Sequence, residues 1–215
     1  YGISKTTFGV IMTLVGLIYG VSKFVNGVLA DRTNGRWHMV MGLSVCSVIN
    51  FIFGCGAIIC AWITGQTYGT TFIHTLVVLF GVLLILNNMF QGCGFPPCNR
   101  LITHWVPPKE LATKMSVWNT SHSIGAGLAI IFCGYVVSLN WGAWFDASSM
   151  LSQHWRWCFL LPATIALLGA AVVWAFVRDT PSSVGLPELE GTEVRKEKKA
   201  AKGAEHRAFL MKHVF

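Results

Sequence analysis

The hydrophobic positions of this chain form five long apolar runs that are separated by short polar stretches. Each run has about the 20 residues that an α-helix needs to cross a bilayer, and each is too long for a β-strand. The runs lack the period-two alternation of a membrane strand, and helices satisfy their backbone hydrogen bonds within one segment. The pattern therefore predicts an all-α membrane protein with transmembrane helices at Phe8–Leu29, Val40–Ile63, Phe72–Gly94, Met115–Leu139 and Arg156–Val177.

The basic residues predict how these helices are oriented. Lys and Arg occur in the connections after the first and third runs and in the tail after Val177, whereas the loops Thr64–Thr71 and Asn140–Trp155 contain none. Because cytoplasmic loops are enriched in Lys and Arg, we expect the chain to start outside and the tail to be cytoplasmic. We also expect an interfacial aromatic belt near the last outer loop, formed by Trp141, Trp144, Trp155 and Trp157.

The two ends of the chain suggest a segment of a larger protein. An odd number of spans with an outside start predicts a missing preceding helix. The tail contains a charged stretch, Glu193–Arg207, which fits a solvated linker or a segment attracted to anionic lipid. The final residues, AFLMKHVF, resemble the start of an interfacial amphipathic helix, so we expect further chain beyond Phe215.

Composition supports a membrane protein and argues against several other classes. Hydrophobic residues make up 53% of the chain and charged residues 12%, against about a quarter in soluble domains. The net charge of +7 is explained by topology, so no nucleic-acid partner is expected. The seven cysteines lie in apolar runs without a CxxC pair, which favours packing over a metal site or disulfide framework. No nucleophile–base pair, phosphate-binding glycine loop or metal-ligand cluster is apparent, so we expect neither an enzyme nor a cofactor.

Lys23 is the residue that most strongly indicates a function. It lies near the middle of the first run, where a lysine costs roughly 2.5–3.5 kcal/mol at the bilayer centre. Asp31 and Arg32 mark the inner boundary about 12 Å further along the helix, so snorkelling to water is difficult unless the span is shifted. Tyr19 is one turn earlier on the same face. A cation beside a phenol suits an anion such as phosphate.

His122 in the fourth run is the second candidate. Trp118 and Gly125 lie four residues before and three after it, on the same helix face, and Asn119 is close by in sequence. One interpretation is a hydrogen-bonded packing histidine. The other is a pore-facing donor whose charge responds to pH and to a bound anion.

Other polar residues in the third run fit a structural role. We expect Asn87, Asn88 and Gln91 to form hydrogen bonds across helices. Pro96 and Pro97 should break or kink the helix near its inner end.

Several sequence blocks resemble one family of membrane transporters. GVLADRTNGR, at 27–36, resembles the loop after the second helix of major facilitator transporters, with one extra residue between its Asp-Arg and Gly-Arg pairs. That extra residue is similar to the organophosphate:inorganic phosphate antiporters of this superfamily. The same branch is resembled by YGVSKF at 19–24, FQGCGFPPCNRLITHW at 90–105, SVWNTSH at 116–122 and RDTPSSVGLP at 178–187.

The resemblance implies a fold of twelve helices in two halves. Residues 1–177 would be helices two to six of the N-terminal half, and residues 178–215 part of the central cytoplasmic loop. The family's phosphoryl-binding arginines would lie in the missing first helix and in the missing C-terminal half. The implied substrate-binding residues of this chain are Lys23, His122, Tyr19, Trp118 and Asn119. The implied conformational-latch loop contains Gly27, Asp31, Arg32, Gly35 and Arg36.

The function implied is secondary active transport in the bacterial inner membrane. A phosphate ester, such as glycerol-3-phosphate or a hexose phosphate, would exchange for inorganic phosphate by alternating access, with membrane lipid as the surroundings. The alternative is a membrane sensor for a sugar phosphate, because some members of this branch signal instead of transporting. A scaffold without a transport role is disfavoured by Lys23, and the residues leave the choice of ester open.

Overall fold

The computed structural model describes residues 5–67, 69–138 and 154–187. Within these ranges the chain is helical and has no strand. The helices are α1 Lys5–Arg32, α2 Gly35–Thr64, α3 Thr70–Gln91, α4 Phe95–Trp105, α5 Pro108–Ser138 and α6 Trp157–Phe176. Short 3₁₀ turns occur at His154–Arg156 and Pro181–Val184.

The five predicted spans are confirmed by helices long and apolar enough to cross a membrane. They are Gly9–Arg32, Gly35–Thr64, Thr70–Trp105, Pro108–Ser138 and Trp157–Phe176. The third span consists of α3 and α4. The predicted break is also confirmed: α3 ends at Gln91 and α4 begins at Phe95. Proline is tolerated in the first turn of α4 because backbone N–H groups there have no partner within the helix.

The first connection is shorter than the apolar runs suggested. Since α1 continues to Arg32 and α2 begins at Gly35, only Thr33 and Asn34 join the two helices. The Oδ1 atom of Asn34 accepts hydrogen bonds from the backbone N–H groups of Arg36 at 3.1 Å and Trp37 at 3.4 Å, which caps α2. The helices run past the apolar segments because helical hydrogen bonding does not stop where the hydrocarbon ends.

The core lies around α2, which packs against both α3 and α6. Phe53 of α2 stacks on Phe159 of α6 at 5.3 Å and meets Phe80 of α3 edge-on at 5.1 Å between ring centroids. Gly54 allows the close approach of α6, because a Cβ there would lie 2.6 Å from the Leu160 side chain. This small-residue contact is typical of helix packing in membranes.

Polar contacts add to this core. The amide of Asn50 donates to Asn87 Oδ1 at 3.3 Å, which confirms the cross-helix role of Asn87. Asn88 instead donates to the Leu84 carbonyl of its own helix at 2.9 Å, and Gln91 is exposed. A hydrogen bond across helices is therefore observed for Asn87 among these three residues.

A buried arginine that the sequence analysis did not single out lies at the N-terminal end of α6. Arg156 is buried, and its Nε atom donates to the Gly54 carbonyl at 2.5 Å. Trp155 packs on Phe80 and Phe159, each at 6.2 Å between ring centroids. Trp155 thus covers the end of the core, and the aromatic belt stays a prediction. Trp141, Trp144, the charged tail stretch and the final residues lie outside the described residues.

Helices α1 and α5 flank this core and present much of their surface outward. Helix α1 packs against α3 and α4, whereas α5 borders α4 and α6. Large apolar side chains of α5 are exposed, including Ile130 and Ile131. Such surfaces are stable against lipid or against further helices, and not in water.

Candidate functional site

Lys23 projects from α1 onto aromatic rings. Its Nζ atom lies 4.3 Å from the ring centroid of Tyr19 and 5.5 Å from that of Phe95. Tyr19 is near because it stands one turn earlier on α1, as the sequence predicts. The faces of both rings attract a cation, which offsets part of the cost of holding the ammonium group inside the membrane.

Phe95 connects Lys23 with the neighbouring helices. It is the first residue of α4 and packs on Trp118 of α5, with 5.0 Å between ring centroids. The break between α3 and α4 places Phe95 here, so α1, α4 and α5 meet at one aromatic cluster. Sequence reasoning missed Phe95, although its place directly before Pro96 could have marked it.

The charge of Lys23 has no counter-ion among the described residues. The ion pairs found there are Arg100–Asp179 at 3.0 Å and Lys114–Glu110 at 3.9 Å, and neither involves Lys23. An ammonium group beside aromatic rings and without a carboxylate can bind an anion strongly, because few competing interactions must first be broken.

His122 and Asn119 lie further along α5 from this cluster. His122 is one turn beyond Trp118, about 6 Å along the axis, and both His122 and Asn119 are exposed. Among the described residues no hydrogen bond or ion pair of His122 is found. Both interpretations of His122, a hydrogen-bonded packing histidine and a pore-facing donor, stay predictions. A contact with Lys23 is not observed, and its role as a substrate ligand stays a prediction.

At the predicted cytoplasmic side, the ends of several helices are tied together by Asp179. One carboxylate oxygen, Oδ1, accepts the backbone N–H of Gly35 at 2.7 Å, and Oδ2 pairs with Arg100 at 3.0 Å. Arg100 also donates to the carbonyl of Ala30 at 2.6 Å and to that of Thr33. These contacts join the end of α1, the start of α2, α4 and the segment after α6. We refer to Arg100, Asp179 and Gly35 as the inner clamp.

Of the inner clamp, only Gly35 was predicted, as a latch residue, although all three members belong to blocks on which the family resemblance rests. A Cβ at Gly35 would lie 2.9 Å from the Asp179 Oδ1 atom, so alanine at this position would displace the carboxylate. Of the other predicted latch residues, Asp31 and Arg32 are exposed near the end of α1. Arg36 stacks over Trp37 at 5.2 Å. Their action as a latch stays a prediction.

The described residues contain no cluster of three or more His, Cys, Asp or Glu side chains that could hold a metal ion. The chemistry available at the candidate site is therefore that of a positive charge with aromatic walls, which suits reversible binding of an anion.

Comparison with known proteins gives a match to the model of the Major Facilitator Superfamily over residues 1–215. The chain is 32% identical to the glycerol-3-phosphate transporter of Bacillus subtilis over 191 residues, covering 88% of this chain and 37% of that protein. It is 34% identical to a probable hexose phosphate transport protein of Chlamydia pneumoniae over 189 residues, covering 88% and 35%. It is also 30% identical to the membrane sensor protein UhpC of Escherichia coli over 218 residues, covering 99% and 42%. The chain thus spans between 35% and 42% of the length of these relatives.

Proposed function

Because the chain belongs to the Major Facilitator Superfamily, we propose that this integral membrane protein exchanges an organic phosphate ester for inorganic phosphate by alternating access. The chain supplies helices two to six of the N-terminal half, in a bacterial inner membrane, with residues 178–215 on the cytoplasmic side. Relatives named as transporters of glycerol-3-phosphate and hexose phosphate support a phosphate ester as substrate.

The observation that carries the proposal is Lys23. It stands near the middle of a membrane span, over the rings of Tyr19 and Phe95, without a carboxylate partner among the described residues. A structural protein would gain nothing from a lysine there, since the insertion cost is roughly 2.5–3.5 kcal/mol. A transporter for an anion gains a binding charge.

In this mechanism Lys23 acts as a point charge on the phosphoryl group and does no covalent chemistry. Phe95 and Trp118 form a wall that keeps water away and strengthens the attraction between the ammonium group and the anion. The bound anion offsets repulsion between Lys23 and the cations expected from the rest of the protein, which lets the two halves close. His122 adds a hydrogen-bond donor to the anion.

Exchange in liposomes tests the proposal. The intact transporter is reconstituted in vesicles loaded with inorganic phosphate, and uptake of labelled glycerol-3-phosphate and glucose-6-phosphate is followed. Lys23→Ala should reduce uptake of the preferred ester at least about tenfold, the loss expected for one hydrogen bond to a charged group. Lys114→Ala is the matched control, because Lys114 is an exposed lysine of the same chain. Wild-type uptake by Lys23→Ala would exclude Lys23 from the site.

The alternative is a membrane sensor for a sugar phosphate, which the similarity to a protein named as a membrane sensor supports. The same vesicles separate the two functions. Exchange of ester for phosphate supports the transporter, whereas saturable binding of the ester without any flux supports the sensor.

A further inference from the structure

A groove of about 490 Å³ lies between α1 and α2, with the end of α3 beneath it. Its walls are apolar and open outward, since large side chains on both helices are exposed. The wall residues used below are Val21, Val25, Leu29, Trp37 and Met41.

The polar groups beneath this groove already have partners. The Asn26 amide donates to the backbone carbonyl and to the hydroxyl of Ser22, at 2.9 Å and 3.0 Å. Asn26 Oδ1 lies 3.1 Å from both His38 Nε2 and Cys93 Sγ. The Ser22 hydroxyl donates to the Met89 carbonyl. Because these groups satisfy one another, the groove can be filled with hydrocarbon at no cost in hydrogen bonds.

The length of the groove matches one leaflet of a membrane. Along α1 it runs from Ile18 to Leu29, which is about 16 Å at 1.5 Å per residue. The hydrocarbon core of a bilayer is about 30 Å thick, so one leaflet takes up about half of that. The groove reaches the α1–α2 connection, where Thr33 and Asn34 line it at the predicted cytoplasmic interface.

Two arginines stand at this end of the groove. Arg32 is exposed as the last residue of α1. The guanidinium of Arg36 stacks at 5.2 Å on Trp37, which lines the groove. The Nε atom of Arg36 is shielded from water and has no hydrogen-bond partner. With one carboxylate nearby in sequence, Asp31, this end has a net positive charge.

We propose that the groove binds an anionic phospholipid of the cytoplasmic leaflet, with one acyl chain between α1 and α2 and the phosphate at Arg32 and Arg36. Anionic lipids are concentrated in that leaflet and attract basic residues at its surface. The phosphate of the headgroup accepts hydrogen bonds from the guanidinium groups of Arg32 and Arg36. This site is separate from Lys23 and does not depend on what is transported; it depends on the predicted cytoplasmic position of the α1–α2 connection.

Lipid binding to the intact protein in neutral detergent, measured by native mass spectrometry, tests the proposal. The probes are phosphatidylglycerol and phosphatidylcholine with identical acyl chains. Attraction of about 1 kcal/mol for each basic residue corresponds to about fivefold per arginine. The wild type should therefore prefer phosphatidylglycerol by roughly 25-fold at one site. Arg32→Gln/Arg36→Gln should abolish this preference, and the matched control Lys109→Gln/Lys114→Gln should keep it.

A second variant tests the groove itself. Val25→Trp fills the apolar wall and should remove the bound lipid of either type, whereas the arginine variant removes only the selectivity. A preference for phosphatidylglycerol that survives loss of both arginines overturns the proposal. So does an unchanged number of bound lipids in a folded Val25→Trp variant, because the groove is then covered by another part of the protein. Arg32 is exposed and Arg36 is partly exposed, so the arginine variant remains informative even if Val25→Trp does not fold.

Discussion

Asp179→Asn offers the sharpest test of how the inner ends of the helices are held together. The substitution keeps the size of the side chain and leaves an oxygen for the Gly35 N–H, but it removes the charge that faces Arg100. The side chains of Asp179 and Arg100 are 11% and 22% exposed, so water compensates only in part. Arg100 keeps its bonds to the carbonyls of Ala30 and Thr33.

The cost follows from these contacts. Hydrogen bonds to charged groups contribute about 1.5–3 kcal/mol, against about 0.5–1.5 kcal/mol for neutral ones. Two bonds to the Asp179 carboxylate lose this difference, so we expect a loss of about 2 kcal/mol, below the 3–5 kcal/mol of a fully buried pair. For a domain of this size, that lowers the melting temperature by about 4–8 °C.

The assay is thermal unfolding of the intact protein in detergent, for Asp179→Asn, Arg100→Met and the double variant. Because the two side chains bond each other, the double variant should melt close to the less stable single variant. Glu110→Gln is the control, since its pair with Lys114 is 3.9 Å long and more than half exposed; it should shift stability by less than about 0.5 kcal/mol. Equal shifts for Asp179→Asn and Glu110→Gln, or strictly additive shifts in the double variant, would refute the reasoning.

Three further predictions follow from single side chains. His122→Gln should weaken transport, and wild-type uptake by this variant would remove His122 from the site. Gly42→Ala should lower the melting temperature, because the added Cβ would lie 2.6 Å from that of Cys93. Gly81→Ala is the control, because a Cβ there has nothing within 4 Å; equal shifts would show that α2 is not tightly packed against the break between α3 and α4. Trp118→Ala should raise the KM for the ester about threefold to tenfold by opening the aromatic wall, and an unchanged KM would place the substrate elsewhere.

The architecture was largely predictable from the sequence, because in a membrane the length of an apolar run sets the length of the helix. The break before Phe95 was also predictable, since proline removes a backbone donor. The exact helix ends were not, because α1 and α2 continue through the interface to a connection of two residues. Hydropathy contains no information on where an interfacial helix stops.

In the candidate site, only the contacts between residues on one face of the same helix were predicted. The spacing of Tyr19 and Lys23 on one helix face is a local property, and the structure confirms their contact. Phe95 and the inner clamp depend on contacts between segments distant in the chain, such as Arg100 with Asp179. A single sequence does not reveal such pairings, although both residues lie in blocks that resemble the transporter family.

The central claim is that Lys23 receives the phosphoryl anion, and the binding of inorganic phosphate to the intact protein tests it most directly. Titration calorimetry would compare the wild type with Lys23→Ala and Lys23→Arg. Loss of one charge-assisted bond, about 1.5–3 kcal/mol, predicts a Kd about 10- to 100-fold higher for Lys23→Ala, with a smaller change for Lys23→Arg, which keeps the charge. A Kd for Lys23→Ala equal to that of the wild type would contradict the account.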